Sequence, residues 1–244
     1  MVSSFVRYID RRFYPSFADN WDTELFRDLV HQYISPTVSA LDFGAGRGAL
    51  PSLNFRKPGR FIAGVDIDSA VFDNPYLDEA KLLDADGRIP YGADRFDVVF
   101  AHNVLEHLSR PAVAFDEICR VLRPGGIFIS KTPNRNHYVP MLARLTPHWF
   151  HVRVNRHRGR QERDTFPTVY RCNTCKELTR FAEQTGFCIE CVEHVEGRPE
   201  YLRMNAPLYL VGLAYERVVN GMDSLSAFRA VLLTTLRKSP RLNT

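Results

Sequence analysis

The sequence predicts an α/β domain built on a doubly wound, mostly parallel sheet. Three observations carry that expectation. Brief apolar runs rich in β-branched and aromatic residues, each bounded by Gly, Pro or Asp, recur between Val38 and Thr132. Helical patterns separate them, which is how parallel strands are connected. The chain has 244 residues, 45% hydrophobic and 25% charged, enough for one sizeable core. We therefore expect a single domain over 1–244.

Taken in order, residues 1–37 mix aromatic and charged side chains and predict a helical cap, with a helix over Thr23–Ile34 ended by Ser35-Pro36. The runs VSALDF, RFIAGVD, FDVVFA and GGIFISKT read as buried strands within a core over 38–133. Ala112–Leu122 reads as a helix, because Val113, Phe115, Ile118, Val121 and Leu122 approximate one stripe. Arg123-Pro124-Gly125-Gly126 then stops it. Regularity lapses over 134–172, which we take as an insertion on the acceptor side of the sheet. A helix (Thr174–Gln184) and a strand (Phe187–Val195) close the core over 173–204, and two apolar helices (Ala206–Val219 and Ser224–Leu236) fill 205–244.

Composition bounds the function. A net charge of +4 is too mild to argue for a nucleic-acid partner. The start, MVSSFVRYIDRRFYPSF, lacks the apolar core of a secretory signal, and no run is long enough to span a membrane. The five cysteines are then expected as reduced thiols in a cytoplasmic protein.

The chemistry-bearing residues start at Leu41-Asp42-Phe43-Gly44-Ala45-Gly46-Arg47-Gly48, after a predicted strand and before a predicted helix. A doubly wound sheet binds its ligand at that place, and glycines let the backbone turn and approach it closely. The spacing is Gly-x-Gly-x-Gly, unlike the Gly-x-Gly-x-x-Gly of dinucleotide folds. Gly64-Val65-Asp66-Ile67-Asp68 closes the second strand, where a carboxylate can accept both hydroxyls of a ribose. Asp66 could alternatively cap a helix, a role open equally to Asp68 or Ser69. Asp84-Ala85-Asp86-Gly87, Arg95-Phe96-Asp97-Val98-Val99, Val104-Leu105-Glu106-His107 and Arg120-Val121-Leu122-Arg123-Pro124-Gly125-Gly126 follow.

In this order the motifs resemble those of class I S-adenosylmethionine-dependent methyltransferases, notably the small-molecule branch with the ubiquinone-pathway O-methyltransferases. The resemblance covers Val38–Pro133 and implies a seven-stranded sheet and S-adenosylmethionine as cofactor. It further implies that Gly44, Ala45 and Gly46 line the methionine end, with Asp42 orienting their loop. Asp66 would hold the ribose and Ile67 would pack on the adenine. Asp84 and Asp86 straddle the place of the acidic residue near the adenine amino group, and we favour Asp86 with Gly87. Ala101-His102-Asn103 would face the methyl group.

Methyl transfer from a sulfonium needs mainly in-line placement of the acceptor, and a base only where the acceptor must lose a proton. His107 is the local candidate, since imidazole exchanges protons near neutral pH. Some ubiquinone-pathway relatives bind a divalent metal with acidic residues around this Glu-His pair. Here Asn103 stands three before Glu106, a poorer ligand for a hard cation, so no metal is expected. Cys172, Cys175, Cys188 and Cys191 have nearly zinc-ribbon spacing, but Cys188 and Cys191 on one strand would point to opposite faces, so we expect no zinc.

Arg153, Arg156, Arg158, Arg160 and Arg163 form either a solvated loop or a grip for an anionic acceptor, with Tyr138, Trp149, Phe150, Phe166 and Tyr170 as aromatic walls. The two C-terminal helices suggest a core or homodimer contact, or attachment to a membrane surface through Leu225, Phe228, Leu232 and Leu236. The expected function is O-methylation of a small-molecule or lipid-like acceptor. An RNA methyltransferase and a cofactor-binding but inactive partner protein are the rival readings.

Overall fold

The computed structural model describes residues 3–16, 20–143 and 167–240. They fall into two compact units, one with the described residues of 25–132, 168–193 and 232–240, the other with those of 3–16, 20–24, 133–143, 167 and 194–231. The first holds the sheet, with seven strands in the order β3-β2-β1-β4-β5-β7-β6. β1 (Ser39–Phe43) lies between β2 (Phe61–Asp66) and β4 (Phe96–His102), parallel to both. β3 (Glu79–Leu82) and β5 (Leu122–Pro133) extend the parallel set on either side. β7 (Val231–Lys238) runs the other way. Its last residue, Lys238, reaches the Leu122 carbonyl at the start of β5, and Ser239 N donates to Gly186 O beside the start of β6 (Phe187–Val195).

The four strands expected from apolar runs are all present, because each is buried on both faces and so reads as a continuous run. On one face α3 (Pro111–Val121) and α5 (Cys175–Gln184) close the core. Pro111 occupies the first turn of α3, where its missing N–H costs nothing. Ala114, Phe115, Ile118 and Val121 face the sheet, while Val113, expected inside, is only half-buried. Phe115 stacks edge-on against Phe128 at 5.8 Å and meets Phe181 at 5.7 Å. Thr174 caps α5 by accepting from Glu177 N (3.3 Å), while Glu177 accepts from Asn173 N (3.2 Å), the residue before the cap. On the opposite face lie α2 (Trp21–Tyr33), Phe55 and Phe100, the two rings 5.0 Å apart.

Two expected helices are absent. No α-helix follows the glycine loop; a 3-10 turn, Pro51–Leu53, takes its place. Residues 49–60 hold Pro51, Pro58 and Gly59, too many breaks for a helix before β2 begins. At the other end, Ser224–Leu236 is not a helix but a 3-10 turn (Asp223–Phe228) running into β7. Leu232 and Leu236, which suggested a helical face, alternate with Val231, Leu233 and Thr235 across an inner strand buried on both sides. The membrane or dimer contact imagined for that helix is therefore withdrawn.

The second unit packs α1 (Ser4–Phe13) against α6 (Ala206–Gly221) through Val6, Ile9, Tyr14 and Tyr209. It also includes the short α4 (Tyr138–Ala143). The arginine run and the aromatics Trp149, Phe150 and Phe166 lie outside the described residues.

Candidate cofactor site

After β1 the chain turns through Gly44 (φ +79°), Gly46 (φ +50°) and Gly48 (φ +72°), left-handed conformations that favour glycine. Gly44 N and Ala45 N both donate to Val65 O, at 2.8 and 3.1 Å, which ties the loop to the end of β2. The glycines serve different ends. A Cβ on Gly44 would strike Val104, in the loop after β4, whereas nothing lies within 4 Å of where a Cβ on Gly46 would sit. Gly46 thus opens onto a cradle that the protein itself leaves unfilled.

Asp66, the last residue of β2, fixes this cradle from the side. One carboxylate oxygen accepts from Gly46 N (2.9 Å) and the other from Asp68 N (3.0 Å). Asp68 accepts from Ala70 N (2.9 Å) and so takes the capping role, leaving Asp66 for the loop. Beside it Ile67 is 72% exposed, an apolar side chain held out in front of the strand end.

Asp42 lies under the loop. Burial pushes its carboxyl up to about 8, and the charge of Asp66 adds to that rise. Among the described residues neither Asp42 nor Asp66 meets a Lys, Arg or His, and no donor reaches the Asp42 carboxyl. Such a pair suits a ligand that brings positive charge and hydroxyl donors. A pyrophosphate would be repelled here, and the α-helix N-terminus that normally holds one is missing after the loop.

The other expected residues sit at the same strand ends. Leu83 N donates to Asp66 O (2.8 Å), and the chain then turns at Asp84–Gly87, with Gly87 N on Asp84 O (2.7 Å) and Gly87 at φ +82°. Asp84 and Asp86 are both exposed in this turn. Asn103, at φ +56°, ends β4 and donates through its N–H to Lys131 O (2.9 Å). Val104 joins it to the glycine loop, and a 3-10 turn (Leu105–His107) carries His107. The His107 side chain is 29% exposed, with Nε2 3.9 Å from a Glu106 carboxylate oxygen.

Glu106 is buried, and burial pushes its carboxyl up against the opposing pull of His107. Thr132 Oγ1 donates to it (2.9 Å) and accepts in turn from Asn173 Nδ2 (2.6 Å). Cys172 Sγ donates to Leu105 O (3.2 Å), so this thiol packs within the fold, while Cys188 and Cys191 are exposed on β6. Among the described residues no three His, Cys, Asp or Glu side chains gather as a metal site.

Two residues were missed by sequence reasoning. Asn74 Nδ2 donates to Ala45 O (3.0 Å) and Gly46 O (3.2 Å), clamping the glycine loop from below. Its only sequence signal is the turn dipeptide Asn74-Pro75. Lys131, 1% exposed on β5, places Nζ 3.2 Å from His102 Nε2 at the end of β4. A lysine inside an apolar strand was the available signal.

A model of the methyltransferase domain family matches residues 41–130. A probable S-adenosylmethionine-dependent methyltransferase of Mycolicibacterium smegmatis is 32% identical over 68% of this chain and 57% of its own length. A trans-aconitate 2-methyltransferase of an Azoarcus strain is 31% identical over 57% of this chain and 56% of its own. The chain thus spans little more than half the length of these curated relatives. Among solved structures, the [4+2]-cyclase SpnF aligns with a TM-score of 0.57 at 20% identity, over 91% of this chain and 83% of that one, a likeness of fold.

Proposed function

From the premise that residues 41–130 belong to the methyltransferase domain family, we propose that the chain binds S-adenosylmethionine and transfers its methyl group to an oxygen of a small-molecule or lipid-like acceptor. The observation that carries this reading is the carboxyl pair Asp42 and Asp66 around the open Gly46, with no Lys, Arg or His meeting either among the described residues. The donor set fits the cofactor, which has an ammonium, a sulfonium and two ribose hydroxyls. The relative named for trans-aconitate supports a small acceptor.

When bound, S-adenosylmethionine supplies an electrophilic methyl group whose transfer leaves the bonding electron pair on sulfur as S-adenosylhomocysteine. The residues bind and orient. Asp66 would accept from the ribose hydroxyls and Ile67 would pack on the adenine, with Asp86 and Gly87 near its amino group. Gly44, Ala45 and Gly46 admit the methionine end, and Asp42 balances its charge. Asn103 would lie on the side of the methyl group. His107 takes the acceptor's proton as the new carbon–oxygen bond forms, and Glu106 favours the resulting imidazolium.

The test is transfer of labelled methyl from S-adenosylmethionine to a panel of hydroxylated acceptors, comparing wild type with His107→Gln. We expect turnover to fall by about 100-fold with cofactor affinity unchanged. Full activity of His107→Gln would remove the base from this account. Absence of any transfer by a protein that binds cofactor would favour the inactive-partner reading.

A further inference from the structure

The second unit turns an apolar surface to solvent. α6 buries Tyr209, Gly212, Glu216 and Val219 along one side. Its opposite side carries Pro207, Leu210, Val211, Ala214, Val218 and Gly221, with Arg217 as its charged member and Val211 64% exposed. A helix at a protein–water boundary normally places polar residues on that side. Beside it α1 exposes Phe5 and Tyr8, the latter by 63%, along with Arg7, Arg11 and Arg12. Arg217 joins the two helices, its guanidinium 6.0 Å from the Phe13 ring and 5.8 Å from that of Tyr14.

The acids of both helices are turned inward. Asp10 holds Arg203 at 2.7 Å and accepts from the Tyr209 hydroxyl at 2.5 Å. Glu216 is buried, accepts from the Tyr14 hydroxyl at 3.1 Å and pairs with Arg217 Nε at 3.3 Å. The net charge of this face is therefore basic and comes from α1, with Arg11 and Arg12 set among aromatic and aliphatic side chains. We propose that this face rests on an anionic lipid surface. Apolar side chains would enter the headgroup boundary and the arginines would meet lipid phosphates, as amphipathic membrane-surface helices do. A second copy of the chain fits less well, because it would bring a second set of arginines to the same patch. The inward ties of Asp10 and Glu216 keep both helices packed, so that only their outer sides are offered.

This inference stands apart from the methyl-transfer reading and is tested without it. Wild type, Val211→Glu/Val218→Glu and Arg11→Gln/Arg12→Gln would be sedimented with phosphatidylcholine vesicles and with 7:3 phosphatidylcholine:phosphatidylglycerol vesicles. Wild type should bind the anionic vesicles, weaken as salt is raised, and bind pure phosphatidylcholine poorly. The glutamate pair should lower partitioning at least tenfold, and the glutamine pair by about 20-fold on anionic vesicles alone. All three should keep the wild-type melting temperature. Wild type that binds neither vesicle overturns the proposal. A wild-type dimer that the glutamate pair converts to monomer in light scattering, without vesicle binding, assigns the face to a second copy and overturns it equally.

Discussion

Two acids in the sheet unit meet opposite surroundings. Glu117, on α3, accepts from Ile89 N (2.8 Å) and from Arg120 Nε and Nη2 (2.7 and 2.6 Å). The Arg120 hydrogen bond holds its carboxyl below the usual range. Asp42, at the end of β1, receives no donor among the described residues, and burial pushes it up to about 8. Arg120 also donates to Ile89 O and Tyr91 O (both 2.8 Å), so the Glu117 cluster stitches a loop to a helix. The difference separates architecture from site. The fold supplies the counter-ion for Glu117, and among the described residues it supplies none for Asp42, the mark of a candidate binding site.

The largest expected effect lies on the ligand side of this comparison. Asp66→Ala should weaken S-adenosylmethionine at least 100-fold, since each hydrogen bond to a charged acceptor is worth about 1.5–3 kcal/mol. The melting temperature should fall as well, because Gly46 N and Asp68 N lose their charged acceptor. A destabilised Asp66→Ala with intact affinity would make Asp66 a loop clamp and nothing more.

Next comes the pH dependence of Asp42. Its folded value near 8 lies above the unfolded value near 3.8, so folding takes up a proton between them and stability falls as pH rises through that window. Asp42→Asn should therefore raise the melting temperature at pH 8.5 and leave it nearly unchanged at pH 4. Equal effects at both pH values would contradict an uncompensated Asp42.

Glu117 should behave with the opposite sign. Its folded value is depressed, so its contribution is present above the unfolded value near 4.5 and is lost as pH falls through the folded one. Glu117→Gln should cost about 1 kcal/mol at pH 7 in denaturant titration, and less at pH 3, given that the pair is only partly buried. The smallest change is Gly46→Ala. The left-handed backbone costs about 1 kcal/mol without a steric clash, so melting should shift by a few degrees while cofactor affinity drops further.

The sequence showed the ligand side of the comparison more clearly than its support. β1, β2, β4 and β5 were legible because inner parallel strands are apolar throughout, and the glycine loop because left-handed turns demand glycine. β3 was not located, since Glu79–Leu82 is four residues long, half-exposed and at the sheet edge. β7 was mistaken for a helix because Leu232 and Leu236 satisfy both a four-residue and a two-residue period, and only its insertion between β5 and β6 decides between them. Asn74 and Lys131 act through tertiary contacts, which a single polar letter in the sequence does not announce.

The central claim, that Asp42 and Asp66 await a cationic cofactor, is tested most directly by titrating wild type with S-adenosylmethionine in a calorimeter at pH 7, in two buffers of different ionisation enthalpy. The account predicts micromolar binding with net proton release, because the bound cation draws Asp42 into its charged form. It also predicts that release is lost in Asp42→Asn. A folded protein that shows no binding, or binding with no protons released, would contradict it.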